Sequence, residues 1–248
     1  MKPFLLLSVR PEDDAAESER LAVARLAGLD ADDLHTVRLA SMALPDIDLS
    51  HYSGVFLGGG PFNASDAVKT QPQLQAEAEI GRVIDAALAD DVAFLGLCYG
   101  IGALTHRLGG TVDRTYGEPA GVISVTLTPA GRGDPLFKGV PTTVKAFVGH
   151  KEAVHTLPAG AIVLATGDAC PVQAFRIGRR VYATQFHPEL DPEGMAQRLR
   201  IYQHHGYFDA AEVEQLVEEA LAAPVTADIH RIVTNFVALA REQSPQSR

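Results

Sequence analysis

The chain has 248 residues, 46% of them hydrophobic and 21% charged, enough to bury a sizeable core in one large α/β domain or two small ones. Its 21 Lys and Arg against 31 Asp and Glu give a net charge of −10 with no basic run, which argues against a broad surface for nucleic-acid phosphates. No apolar run approaches the roughly 20 residues that span a bilayer, and two cysteines, Cys98 and Cys170, suit a reducing compartment. A protein of the cytoplasm with free thiols is expected.

Phe4 to Val9 predicts a first strand rather than a signal peptide, because Arg10 and Glu12-Asp13-Asp14 cut the apolar stretch short. Ala22, Leu26 and Leu29 recur at helical spacing, and Leu34 to Leu39 predicts a second strand. Val55 to Leu57 predicts a third strand that runs into Gly58-Gly59-Gly60-Pro61. Ile80, Val83, Ile84 and Leu88 mark one helix face, and Val92 to Leu95 forms a strand ending at Cys98. Such alternation is the pattern of an α/β fold, a parallel sheet with helices on both faces.

Beyond residue 110 the pattern changes to β-branched runs separated by Gly, Pro and Asp: Val122 to Leu127, Thr142 to Val148, Ala161 to Ala165 and Val181 to Phe186. These predict further strands, some antiparallel. Helices return from Pro192, and the last is marked by Ile229, Ile232, Val233, Phe236, Val237 and Ala240. One domain over residues 1–242 is expected, with a core to about residue 190, a helical extension over 191–242 and a frayed tail at 243–248.

The chemistry concentrates at Leu95-Gly96-Leu97-Cys98-Tyr99-Gly100. Glycine two residues before and two after a cysteine, where a strand meets a helix, has the form of a nucleophile elbow. At that place the helix dipole and the free N–H groups of the first turn favour a thiolate and can hold an oxyanion. A cysteine is by default a small buried hydrophobe, but two glycines at fixed offsets flank fewer than about one cysteine in a hundred by chance. Cys170, in Asp168-Ala169-Cys170-Pro171, has no such frame and is expected to be structural.

A thiolate nucleophile needs a base, and the base a partner that fixes its tautomer. Thr184-Gln185-Phe186-His187-Pro188-Glu189 offers both. Pro188 biases His187 toward extended backbone, in which residues i and i+2 point to one side, so His187 and Glu189 are expected to share a strand face. His35, His51, His106, His155, His204, His205 and His230 lack such a frame and are expected to be solvated or structural. The Gly58-Gly59-Gly60-Pro61 loop is a candidate source of oxyanion donors, since glycines let backbone N–H groups approach the substrate. It is not a phosphate loop, for no Gly-Lys-Ser/Thr follows. No His/Cys/Asp cluster has metal-ligand spacing, so no metal and no cofactor are expected.

Taken in order, Gly58-Gly59-Gly60-Pro61, Gly96-Leu97-Cys98-Tyr99-Gly100 and Gln185-Phe186-His187-Pro188-Glu189 resemble the class I glutamine amidotransferases, and within them the glutaminase domain of GMP synthase. The resemblance covers about residues 1 to 190 and implies a flavodoxin-like parallel sheet with an added antiparallel ribbon. It implies Cys98 as nucleophile, His187 as base and Glu189 as its orienting carboxylate, with Gly60 and Tyr99 as backbone oxyanion donors. Val148-Gly149-His150-Lys151-Glu152 resembles the family's segment that holds the α-amino and α-carboxylate groups of glutamine, so Gly59, Gly149, His150 and Lys151 are candidate substrate contacts. One position departs. Where the family has Gln four residues after the cysteine, this chain has Gly102.

Three functions follow. The first is a glutaminase that releases ammonia for a synthetase or other acceptor subunit. The second is a hydrolase of γ-glutamyl amides or peptides without ammonia transfer, which Gly102 and the absence of a synthetase region favour. The third is a non-catalytic binding or regulatory protein on the same scaffold, which an intact Cys-His-Glu set disfavours. The oligomeric state is not legible in the sequence.

Overall fold

The computed structural model describes residues 1–39, 47–203 and 208–242. His204, His205 and the tail at 243–248 lie outside the described residues. The strands are β1 (Phe4–Ser8), β2 (Leu34–Arg38), β3 (Gly54–Leu57), β4 (Ala93–Leu97), β5 (Thr111–Asp113), β6 (Glu118–Leu127), β7 (Thr143–His150), β8 (Ala153–Thr156), β9 (Ile162–Thr166), β10 (Ala174–Ile177) and β11 (Val181–Thr184). The helices are α1 (Asp13–Ala27), α2 (Gln71–Ala89), α3 (Tyr99–Arg107), α4 (Pro129–Gly133), α5 (Pro192–Ile201), α6 (Val213–Leu221) and α7 (Arg231–Arg241).

Nine strands form one sheet in the order β2-β1-β3-β4-β11-β10-β9-β6-β7, and β5 pairs with β8 in a small antiparallel sheet. The first five run parallel, with the 2-1-3-4-5 arrangement of flavodoxin-like sheets. From β11 outward every pairing is antiparallel. The expected α/β fold is therefore present, and the added ribbon is continuous with the main sheet.

Both faces of the parallel half are buried, so its strands read as unbroken apolar runs. Phe4 and Leu6 of β1 point to the face covered by α1 and α7, where Val23, Ile232, Val233 and Phe236 pack. Leu5 and Leu7 point to the opposite face, against Ile80, Val83 and Ile84 of α2 and Leu104 of α3. The period-2 alternation of a strand thus feeds two separate cores. A third cluster joins Phe147 of β7 to Leu190, Met195 and Leu199 of α5 and Val213 and Val217 of α6.

Helix boundaries follow local chemistry. Thr70 caps α2 by accepting from the Gln73 N–H, and Asp191 caps α5 by accepting from Gly194 N–H at 2.9 Å, with Pro192 at the first helical position. Gly28, at φ 68°, ends α1 in the left-handed region. The C-terminal helix α7 lies over the centre of the sheet, with the Phe236 ring edge-on to Phe56 at 4.8 Å.

Phe236 is fully buried in the largest apolar cluster. Phe236→Ala should lower the unfolding free energy by about 3–5 kcal/mol, measured by urea denaturation, with the spectroscopic signature of the native state retained at low denaturant.

Candidate active site

The parallel strands β4 and β11 end side by side, and the candidate residues collect at their C-terminal edge. Ligands of open α/β sheets bind at that edge. The chain turns from β4 into α3 through Cys98, whose φ of 53° and ψ of −96° lie outside the ordinary regions for a non-glycine residue. The turn is held by Cys98 N–H donating to the Thr184 carbonyl at 2.8 Å and Ile101 N–H donating to the Cys98 carbonyl at 3.0 Å. A Cβ at Gly96 would sit 2.9 Å from the backbone of Gly100, and one at Gly100 would sit 3.2 Å from the Leu57 carbonyl oxygen. The glycines read from the sequence are thus imposed by backbone crossing backbone.

The Gly58-Gly59-Gly60 loop runs past the thiol. A Cβ on Gly59 would meet Arg10 Nη2 at 3.0 Å, His187 Cε1 at 3.3 Å and Cys98 Cβ at 3.5 Å. The loop is pinned by Glu19 of α1, a fully buried carboxylate. Its Oε1 accepts from Gly59 N–H at 3.0 Å and from Arg10 Nε at 2.9 Å, and its Oε2 accepts from Ser8 Oγ at 2.8 Å. Arg10 in turn donates to Tyr202 Oη at 2.7 Å. Neither Glu19 nor Arg10 carries a sequence motif, and only the end of β1 meeting α1 brings them to the site.

His187 is positioned by its backbone N–H, which donates to the Phe147 carbonyl at 2.9 Å. The expected extended run through Glu189 is absent: β11 stops at Thr184, and after His187 the chain turns, with Leu190 N–H reaching the His187 carbonyl at 3.3 Å. The turn itself, rather than a shared strand face, swings the carboxylate round, and His187 Nδ1 donates to Glu189 Oε1 at 2.7 Å. Two further groups hold this turn. Arg198 Nη1 of α5 donates to Glu189 Oε1 at 3.3 Å, and His230, next to α7, donates through Nδ1 to the Pro188 carbonyl at 2.8 Å.

Burial alone would push the His187 imidazole down, but the negative charges of Glu189 and of the Cys98 sulfur raise it to about 9. Burial likewise works against the Glu189 carboxylate, and the charge and hydrogen bond of His187, with Arg198 beside them, hold it down at about 2. The pair is therefore an imidazolium–carboxylate couple across neutral pH, with the Cys98 sulfur on the other side of the ring.

A second Cys/His/Glu group lies nearby. Glu118, His150 and Cys170 bring their polar atoms within 4.8 Å of one another, a cluster that no spacing in the sequence reveals. These atoms are already committed, the Cys170 Sγ donating to the Val172 carbonyl at 3.5 Å. His150 bonds Glu118 Oε2 through Nε2 and the Glu152 carbonyl through Nδ1, both at 2.9 Å, and Gln173 Nε2 donates to the same Glu118 oxygen at 2.7 Å. Burial pushes the Cys170 thiol up to about 11, so it stays protonated. The His150 ring thus anchors the chain beside the pocket.

Two chambers meet at Gly60, Cys98 and Gly149. The smaller, about 20 Å3, is lined by Tyr99, Gly102, His150, Lys151, Glu152 and Gln185 among others. Here the Gly102 departure acquires a physical meaning: a Cβ at that position would lie 3.1 Å from Glu152 Oε1. The Glu152 carboxylate fills the space, gripped by the N–H groups of Ala64 at 2.7 Å and Ser65 at 2.8 Å. Gln185 Oε1 is buried in this region without a hydrogen-bond partner. The larger chamber, about 70 Å3, is lined by His187 and lies on the α5 side.

A sequence model of the family Glutamine amidotransferase class-I matches residues 25–203. Among curated proteins, the chain is 32% identical over 154 residues to GMP synthase [glutamine-hydrolyzing] of Corynebacterium glutamicum, covering 61% of this chain and 27% of that protein. It is 28% identical over 218 residues to the protein of the same name from Leifsonia xyli subsp. xyli, covering 86% of this chain and 37% of that one. The chain thus spans well under half the length of these relatives. Among solved structures, a glutamine amidotransferase from Thermotoga maritima superposes with a TM-score of 0.77 at 20% identity, covering 98% of this chain and 99% of that one. Another, from Methylobacillus flagellatus, gives 0.70 at 19% identity over 96% and 95% of the two chains. The fold, with its elbow at the end of a central parallel strand, is that of an α/β amidotransferase, and the chain belongs to the class I glutamine amidotransferase family.

The charge couple predicts a pH signature. A histidine raised from 6.5 to about 9 contributes stability fully below pH 6.5 and loses it as the pH climbs through 9. A glutamate lowered from 4.5 to about 2 contributes above pH 4.5 and loses it as the pH falls through 2. The denaturant midpoint of the wild type should exceed that of His187→Gln most between pH 4.5 and 6.5, and the gap should narrow steadily toward pH 9.

Proposed function

We propose that this protein is a cysteine-dependent amidohydrolase of γ-glutamyl side-chain amides, with Cys98, His187 and Glu189 as its triad. The observation that carries the reading is the conjunction at one sheet edge of a thiol on a strained elbow and a buried imidazole whose far nitrogen is held by Glu189 at 2.7 Å. The Cys98 sulfur attacks the amide carbon, and the oxyanion is received by the backbone N–H groups of Gly60 and Tyr99. Tyr99 opens α3, where the helix offers its N–H no acceptor. His187 gives its proton to the departing nitrogen, the C–N bond breaks and a γ-glutamyl thioester remains. His187 then takes a proton from water, whose hydroxyl adds to the thioester carbon; the C–S bond breaks, releasing the γ-carboxylate product and freeing the Cys98 sulfur.

The γ-glutamyl group is assigned to the smaller chamber, with Gly149, His150 and Lys151 in its lining, Gly59 next to the lining residue Gly60, and Glu152 standing where the family's Gln would reach. With glutamine as substrate the product is ammonia, and the relatives named GMP synthase suggest a synthetase subunit as its acceptor. A second reading, hydrolysis of a substituted γ-glutamyl amide without ammonia transfer, is favoured by Gly102 and by the apolar wall of the larger chamber along α5. Residues 1–242 are treated as one functional unit, since α5 supplies Arg198 to the triad turn and α7 covers the sheet. No described helix is long and apolar enough to cross a membrane, and two free cysteines suit the cytoplasm.

Incubation with the diazoketone analogue of glutamine, followed by intact-protein mass spectrometry, should give a single adduct on the wild type and none on Cys98→Ala. A wild type that stays unmodified while hydrolysing no γ-glutamyl amide would leave only a binding role for this scaffold.

A further inference from the structure

The two chambers differ in the partner they offer a scissile amide. His187 lines the larger chamber, whereas Tyr99, Gly102 and Glu152 line the smaller. An amide carbon over Cys98 must therefore place its nitrogen, which takes the His187 proton, toward the larger space. Ammonia requires no more room there than a water molecule. The chamber, about 70 Å3, still exceeds that, and its walls include Met195, Leu199 and Phe208, which give an ammonia molecule nothing to bind.

Its polar end is cationic. Arg10 and Arg198 both line the chamber, with side chains only 4% and 11% exposed, and Tyr202 lies beside them. Arg10 is matched by Glu19, but Arg198 shares Glu189 with His187, and its Nη2 is buried without a hydrogen-bond partner. Burial and the neighbouring Arg10 charge both make the Arg198 cation less favourable than in water. A leaving group bearing positive charge would be repelled from this end, while a carboxylate would satisfy the free guanidinium nitrogen by a charge-assisted bond.

We infer that the larger chamber is a leaving-group site, and that the substrate is a γ-glutamyl amide of an amino acid with an apolar side chain, the apolar body against Met195, Leu199 and Phe208 and the carboxylate toward Arg198. The inference rests on the triad reading above. The step balances as written there, with the free amino acid leaving in place of ammonia and water supplying the hydroxyl of the new γ-carboxylate.

The test compares three substrates on the full chain: γ-glutamyl-leucine, the γ-glutamyl amide of isopentylamine, which is the same amide without the carboxylate, and glutamine. The kcat/KM for γ-glutamyl-leucine should exceed each of the others at least tenfold. In Arg198→Met the advantage of γ-glutamyl-leucine over the isopentylamide should fall to near unity. That ratio reads the carboxylate even where loss of the Glu189 partner slows all three reactions. Glutamine as the best substrate, equal rates for the two substituted amides, or an unchanged ratio in Arg198→Met would overturn the inference and leave the amidohydrolase reading standing. No turnover of any of the three, with Cys98 unmodified by the diazoketone, would overturn both.

Discussion

The site depends on one unfavourable backbone conformation. Cys98 sits at positive φ, a state that costs a non-glycine residue of order 1–3 kcal/mol and persists only where the surroundings over-determine it. Here they do so from three sides. The strand β4 is locked between β3 and β11, α3 begins at the next residue, and Gly96 and Gly100 let the two arms of the turn cross at contact distance. The strain lifts the thiol clear of the sheet edge, and every other group is arranged around that point.

The second requirement is electrostatic. Two buried glutamates, the buried Arg10 and the mostly buried Arg198 surround the thiol and imidazole; Glu19 holds the glycine loop and Glu189 the His187 ring. Removing one member of such a set leaves its partner charged in a poorly solvated place, which typically costs about 3–5 kcal/mol. Packing and pairing therefore reinforce one another. Helix α1 carries Glu19 and helix α5 carries Arg198, so elements remote from the elbow in sequence fix its immediate neighbours.

The parts of this arrangement that are local in sequence are legible there. The flanking glycines of Cys98, the His187-x-Glu189 pair and the glycine loop after β3 each span only a few residues, and the alternation of apolar runs with helical periodicity gives the parallel half of the sheet. What the sequence conceals is either short or tertiary. β5, β8 and β10 have three or four residues each, too few for a pattern to stand out. Glu19, Arg10, Arg198 and the Glu118–His150–Cys170 group are joined only by the fold, and the turn after His187 replaces the strand that Pro188 suggested. Gly102 reads as a missing side chain until Glu152, from a distant loop, is seen to occupy its space.

The position of β11 ties competence to complete folding. This strand lies between β4 and β10 near the middle of the sheet, yet the chain reaches it only after every other strand has been made. Until it docks, β4 exposes an unpaired edge and Cys98 lacks the Thr184 carbonyl that anchors its N–H. Because His187 follows three residues after β11, a partly folded chain has the Cys98 turn without the imidazole beside it. Non-local pairing of this kind slows folding, and in return no intermediate lacking the central strand brings the Cys98 thiol and the His187 ring together.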